Sequence, residues 1–153
     1  MQLQTILTPE RTVTGVPGTS KKRVLENIAE IICNDVSYLE PDELFSALLA
    51  RERLGSTGIG EGIAIPHCRI ANCTSTIGTL VKLETPVDFE AIDDKPIDIL
   101  FVLLVPEEAT DEHLLTLKTL AELFSQAEFR KSLRNAEHNE ALYHAAIEYQ
   151  KAA

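Results

Sequence analysis

Ile97-Asp98-Ile99-Leu100-Phe101-Val102-Leu103-Leu104-Val105 is a nearly continuous apolar run, closed by Pro106. It is far shorter than the roughly 20 residues that span a bilayer. Its length and its β-branched content read as a central strand buried on both faces. A strand covered twice needs an apolar layer above it and another below, and the flanking sequence offers both. Upstream, Ile77, Thr79, Val81 and Leu83 alternate with Gly78, Leu80, Lys82 and Glu84. That pattern is a strand covered on one face and half-covered on the other. Pro86 to Lys95 reads as a connection with acidic punctuation. Downstream, Thr110 is placed to cap a helix carrying Leu114, Leu117, Leu120, Ala121 and Phe124. Two further helical pieces follow, one through Phe129 and Leu133, the other through Leu142, Ala146 and Ile147.

The N-terminal half supplies the opposite layer. Residues 1–18 read as a short helical or irregular lead, then an extended piece from Arg11 to Val16 closed by Pro17-Gly18. Thr19 or Ser20 suits the cap of a long helix in which Val24, Leu25, Ile28, Ala29, Ile31 and Ile32 recur at helical spacing. A second helix starts near Pro41, a residue favoured at the first helical position, with Leu44, Phe45, Leu48 and Leu49 on its apolar face. Arg51 and Arg53 occupy its last turn, where cations suit the helix dipole, and Gly55 is a natural stop. With no repeat and no linker, residues 1–153 form one domain: an α/β sandwich, one sheet with helices on both faces.

Composition narrows the function. The apolar fraction of 44% and the charged fraction of 25% are those of an ordinary globular protein. No apolar run is long enough to insert in a membrane. The opening Met-Gln-Leu-Gln-Thr-Ile-Leu lacks the basic region and long apolar core of a secretory signal, and three cysteines do not suggest a disulfide framework. A cytoplasmic protein is the expectation. The formal net charge of −10 disfavours nucleic acid or an anionic membrane as the main partner and is compatible with a basic protein.

Gly55-Ser-Thr-Gly-Ile-Gly-Glu-Gly-Ile-Ala-Ile-Pro-His67-Cys68 holds four of the seven glycines and one of the four histidines. It reads as a pliable loop, a short strand (Ile63, Ala64, Ile65) and a histidine presented at the strand's end, behind Pro66. A neutral imidazole is a competent nucleophile, and neighbouring backbone N–H groups of Ser56, Thr57, Gly58, Gly60 and Gly62 are candidates to cradle an anion. A hydrogen-bonded structural histidine fits the same position. His113 falls in the first turn of a helix, where anions are attracted, although a plain surface histidine also fits. Arg51 lies four residues before the glycines. It reads either as a solvated helix-end residue or as a phosphate clamp. The glycine spacing is neither a P-loop nor a dinucleotide fingerprint. His67, Cys68 and Cys73 match no zinc spacing, so no metal is expected.

These residues carry a resemblance. Arg51-Glu52, then Gly-Ser-Thr-Gly-Ile-Gly-x-Gly-Ile-Ala-Ile-Pro-His, then Leu-Val-Pro before a helix bearing His-Leu-x-x-Leu, are similar to the IIA domains of the bacterial phosphotransferase system, fructose/mannitol type. The opening Leu-Thr-Pro-Glu-Arg-Thr and the length look most like the nitrogen-regulatory branch. The resemblance implies a mixed five-stranded sheet and no organic cofactor. It implies that His67 accepts a phosphoryl group from an HPr-like phosphocarrier, with His113 and Arg51 beside it. In that branch the protein acts as a regulator through potassium-transport regulators or sensor kinases. The alternative is a sugar-specific IIA component that passes phosphate to a separate IIB protein. A pure interaction module with a vestigial histidine is the reading from a different class. Cys68 departs from the family, which usually has glycine after the histidine.

Overall fold

The computed structural model of the chain describes residues 1–109 and 111–152. After a 3-10 turn at Leu3–Thr5, the elements are β1 (Leu7–Val16), α1 (Lys21–Asp35), α2 (Pro41–Arg53), β2 (Gly58–Gly60), β3 (Ile63–Ala64) and β4 (His67–Ile70). Then come β5 (Ile77–Val87), β6 (Ile97–Pro106), α3 (Glu112–Phe124), α4 (Ala127–Asn135) and α5 (Asn139–Ala152). The six strands form one mixed sheet in the order β1-β5-β6-β3-β2, with β4 also paired to β6. β1 runs parallel to β5, and β5 antiparallel to β6. On its other side β6 runs parallel to β3 and β4, and β2 closes that edge antiparallel to β3. No helix among the described residues is long and apolar enough to cross a membrane.

The two-sided burial of β6 is observed. Leu100, Val102 and Leu104 enter a core with Val24, Leu25, Ile28 and Ile32 of α1 and with Leu44 and Leu48 of α2. Ile99, Phe101, Leu103 and Val105 enter a second core with Leu120 and Phe124 of α3, Phe129 and Leu133 of α4, and Leu142 and Ile147 of α5. Successive side chains of a strand point to opposite faces, so one apolar run feeds two cores. Within the second core Phe124 stacks edge-on against both Phe101 and Phe129. That packing adds orientation to simple area burial.

Local chemistry sets the helix starts. Ser20 caps α1 by accepting the Arg23 N–H at 3.1 Å. Pro41 opens α2, with the Glu40 side chain accepting the Glu43 N–H at 2.8 Å. At α3 the N-cap position is Asp111, whose side chain makes no cap hydrogen bond, and the expected Thr110 cap lies outside the described residues.

Several sequence expectations shift. β1 starts at Leu7 and runs through Pro9, ahead of the expected Arg11. Proline is tolerated there because β1 is an edge strand whose outer side needs no ladder donor. β5 continues past Pro86 to Val87, with its register broken between Lys82 and Val87. The stretch read as a pliable loop contains β2, and β4 begins at the residue expected to end a strand. Leu114, read as part of the α3 apolar face, is exposed.

Gly78 lies on β5 against the second core. A Cβ there would sit 2.8 Å from Phe101 Cζ and 3.2 Å from Ile6 Cδ1. Overpacking of this kind costs about 1–3 kcal/mol. Gly78→Ala is therefore expected to lower the unfolding free energy by that amount, read as a lower urea midpoint with an unchanged slope; an unaltered midpoint would contradict the packing described.

Candidate functional site

β3 and β4 are two segments along one edge of β6. Ile63 pairs with Ile99 and Ala64 with Leu100; His67 pairs with Leu103 and Cys68 with Leu104. The offset is the same on both sides, so no residue is inserted between the segments. The interruption is chemical: Pro66 has no N–H to donate. Its carbonyl still accepts the Leu103 N–H at 2.8 Å. β2 covers β3 but stops short of β4, so His67 stands where the edge opens.

The His67 ring is half-buried, and its Nδ1 lies 2.8 Å from the Ile65 carbonyl oxygen. A carbonyl oxygen only accepts, so Nδ1 carries the ring proton. In the neutral ring Nε2 then keeps its lone pair. The bond runs back only two residues, across Pro66. The proline fixes its own φ and holds Ile65 extended, so the histidine and its acceptor belong to one stiff segment.

His67 opens into a cleft of about 470 Å³ between the C-terminal end of α2, β4 and the start of α3. Arg51, Cys68, Arg69 and His113 are its other polar lining; Ala50, Leu54, Leu103, Val105 and Leu117 make the rest apolar. The structure thus brings His67, His113 and Arg51 together from three separate elements. Arg51 is half-buried and donates from Nη1 to the Gly55 carbonyl at 3.0 Å. Leu54, Leu114 and Leu115 are solvent-exposed, Leu54 at the cleft and the other two in the first turn of α3.

Arg69 was not foreseen. It donates from Nη1 to the carbonyls of Glu107 and Ala109, at 3.2 and 2.9 Å. These bonds tie β4 to the connection that leads into α3, and so link the strand of His67 to the helix of His113. The available signal was period two: Arg69 shares a strand face with His67, but only once β4 is known to be a strand.

Cys68 sits beside His67 with its side chain packed against the first core. Burial pushes its thiol up to about 12; nearby Cys73 adds to the rise, and Arg51 opposes it. Among the described residues no group of three His, Cys, Asp or Glu side chains is placed to hold a metal ion.

The glycine stretch is put to a different use from the one expected. None of Ser56, Thr57, Gly58, Gly60 or Gly62 lines the cleft. Ser56 Oγ donates to the Phe89 carbonyl at 2.6 Å, and Thr57 bonds to the buried Glu52. A Cβ on Gly58 would meet Ala91 Cβ at 2.7 Å. Glu61 and Gly62 are the central residues of the β2–β3 hairpin, and both have positive φ, at 59° and 80°. Such turns demand positive φ at both positions. Arg134 stabilises the Glu61 conformation by donating to its carbonyl, while pairing with Asp98 at 2.9 Å. The glycines build a sheet edge beside the cleft.

With this geometry in hand, likeness to known proteins is informative. Residues 5–148 match the family described as "Phosphoenolpyruvate-dependent sugar phosphotransferase system, EIIA 2". A protein of Pseudomonas aeruginosa named "Nitrogen regulatory protein" is 49% identical over 98% of this chain and 97% of its own. The crystal structure of nitrogen regulatory protein IIA-Ntr from Neisseria meningitidis superposes with a TM-score of 0.87 at 40% identity, covering 94% of this chain and 98% of that one. A mannitol IIA from Escherichia coli, solved in complex with its phosphorylated IIB, shares the fold: TM-score 0.74 at 18% identity, over 93% of this chain and 97% of that one.

The Cys68 environment makes a measurable statement. A thiol moved from 9.0 to about 12 holds about a thousandfold less thiolate at pH 8. Cys68 is therefore expected to resist iodoacetamide at pH 8 in the native protein and to react promptly in urea. Rapid native alkylation at that residue would contradict the suppressed thiolate.

Proposed function

The chain belongs to the EIIA type 2 family of the phosphoenolpyruvate-dependent phosphotransferase system, and on that premise we propose that His67 accepts a phosphoryl group on Nε2 from the phosphohistidine of an HPr-like carrier. The observation that carries this reading is the Nδ1–Ile65 hydrogen bond inside a cleft shared with Arg51 and His113. The bond favours Nε2 as the nucleophile, and Arg51 and His113 line the same cleft.

In the transfer, the Nε2 lone pair forms a new P–N bond as the donor's P–N bond breaks. The bonding electrons return to the donor imidazole, and the proton on Nδ1 stays in place. One phosphorus–imidazole bond replaces another, so the exchange is close to isoenergetic. The protein mainly aligns the two rings and stabilises charge on the phosphoryl oxygens. The Arg51 guanidinium is shaped to take two of those oxygens, and His113 contributes from the opposite wall. The apolar lining excludes water, which strengthens each of these interactions.

The open sheet edge offers one backbone donor. Leu103 donates to the Pro66 carbonyl, so the alternation of a parallel ladder turns the His67 N–H away from β6. The exposed Leu54, Leu114 and Leu115 give the docking carrier an apolar rim, and the net charge of −10 favours a basic face on it.

The relatives named nitrogen regulatory proteins support a regulatory carrier; we infer a cytoplasmic protein whose phosphorylation state is read by regulatory proteins such as potassium-transport regulators or sensor kinases, rather than passed to a sugar. Phosphate leaving the protein on addition of a IIB protein and sugar would mark a sugar component instead.

Intact-mass spectrometry after incubation with phosphoenolpyruvate, the first enzyme of the system and the carrier is expected to show one acid-labile phosphate on wild type and none on His67→Ala. Arg51→Ala and His113→Ala are each expected to slow the reaction by about a hundredfold, the scale of losing one oxyanion donor. Wild type left unmodified beside a charged carrier would overturn the proposal.

A further inference from the structure

Glu52 is a buried carboxylate, 5% exposed, in the last turn of α2. Both facts count against it as an idle residue. A buried charge is costly unless it is paired and hydrogen-bonded, and an acid at a helix C-terminus opposes the dipole. Its surroundings compensate. Oε1 accepts the Thr57 N–H at 3.0 Å, Oε2 accepts the Thr57 hydroxyl at 2.7 Å, and Lys21 Nζ lies 3.2 Å from Oε1. From Thr57 the path continues toward the site. The Thr57 carbonyl accepts the Ile65 N–H at 3.0 Å, and the Ile65 carbonyl is the acceptor for His67 Nδ1. In the other direction Glu52 follows Arg51 directly in the chain.

We propose that Glu52 is a positioning residue for phosphoryl transfer: through Thr57 and Ile65 it holds the His67 ring in the Nδ1–H tautomer, and through the end of α2 it holds Arg51 at the cleft. This rests on His67 being the phosphoryl acceptor. Glu52 does not line the cleft and touches no reacting atom. It acts through the Ala64–Ile65 peptide, whose N–H is held by Thr57, and so restrains Ile65 on the side opposite Pro66. With the Thr57 anchor loosened, only Pro66 still orients the Ile65 carbonyl, and the ring samples the Nε2–H tautomer for part of the time. In that form Nε2 has no lone pair to offer, so the transfer rate falls with the population of the productive tautomer. Buried groups that hold a nucleophile to within a fraction of an ångström have effects of about ten- to a hundredfold.

The test compares wild type, Glu52→Ala, Glu52→Gln and Thr57→Val in two measurements. One is the His67 ring tautomer, read from histidine ¹⁵N shifts without any carrier. The other is the rate of phosphorylation by the charged carrier. Glu52→Ala is expected to move His67 toward a tautomer mixture and slow transfer about tenfold. Glu52→Gln keeps an acceptor for the Thr57 N–H and is expected to recover most of both. A folded Glu52→Ala with wild-type tautomer and rate would overturn the proposal. Should Glu52→Ala not fold, Thr57→Val decides: a smaller shift of tautomer and rate in the same direction supports the network, and no change in either overturns it. Wild type that takes no phosphate would sink the acceptor role of His67, and the tautomer measurement would still judge the network.

Discussion

A strand with apolar side chains on both faces has to be covered twice and paired on both edges, and β6 meets all four demands. Its two faces feed separate cores, one under α1 and α2 and the other under α3, α4 and α5. One edge is taken by β5 along most of its length. The other edge is shared by β3 and β4, end to end, with Pro66 between them. The candidate site is a consequence of that last arrangement. Where the proline removes a donor and β2 stops, the sheet edge opens, and the first residue beyond the break is His67. Because α2 ends and α3 begins at the same corner, a single cleft collects side chains from both helical layers.

The chemistry of that corner depends on which groups are held still. The His67 ring is bonded to a carbonyl two residues away, within a segment stiffened by proline. Arg69 ties β4 to the connection before α3, and Glu52 ties the end of α2 to Thr57. The first bond acts within one segment, and the other two tie a cleft-lining element to a neighbouring connection. Lys82 makes a comparable link on the far side, donating to the Arg134 carbonyl at 2.7 Å and to that of Ala136, which anchors the end of α4 to β5. Polar groups in this fold mostly serve to join elements, and the apolar cores supply the bulk of the burial.

The parts of the fold set by long-range burial were legible in the sequence. The run from Ile97 to Val105, the helical spacing of α1 and the Pro41 start of α2 all report a pattern that repeats over ten or more residues. Short elements carried no such pattern: β2 has three residues and β4 has four, too few for alternation to show. The Pro66-His67 pair announced a presented histidine, and Arg51 and His113 do share its cleft. The packing of the glycines was not legible, because their composition reports freedom of the backbone and not what the backbone approaches. At Gly58 the neighbour is Ala91, and at Gly62 it is the Arg134–Asp98 pair. Leu114 misled in the opposite way: its spacing fits the α3 core stripe, yet it stands in the first turn beyond the edge of that core. Arg69 and Glu52 were hidden because their partners are distant carbonyls and a buried threonine.

The central claim is that the Ile65 carbonyl, by holding the proton on Nδ1, makes Nε2 of His67 the nucleophile. The most direct measurement is ³¹P–¹⁵N coupling in the phosphorylated protein with ¹⁵N-labelled histidine. A one-bond coupling to Nε2 of His67, with Nδ1 still protonated, is the predicted result. A one-bond coupling to Nδ1 would contradict the account, because the ring would then have to give up the Ile65 carbonyl before it could react.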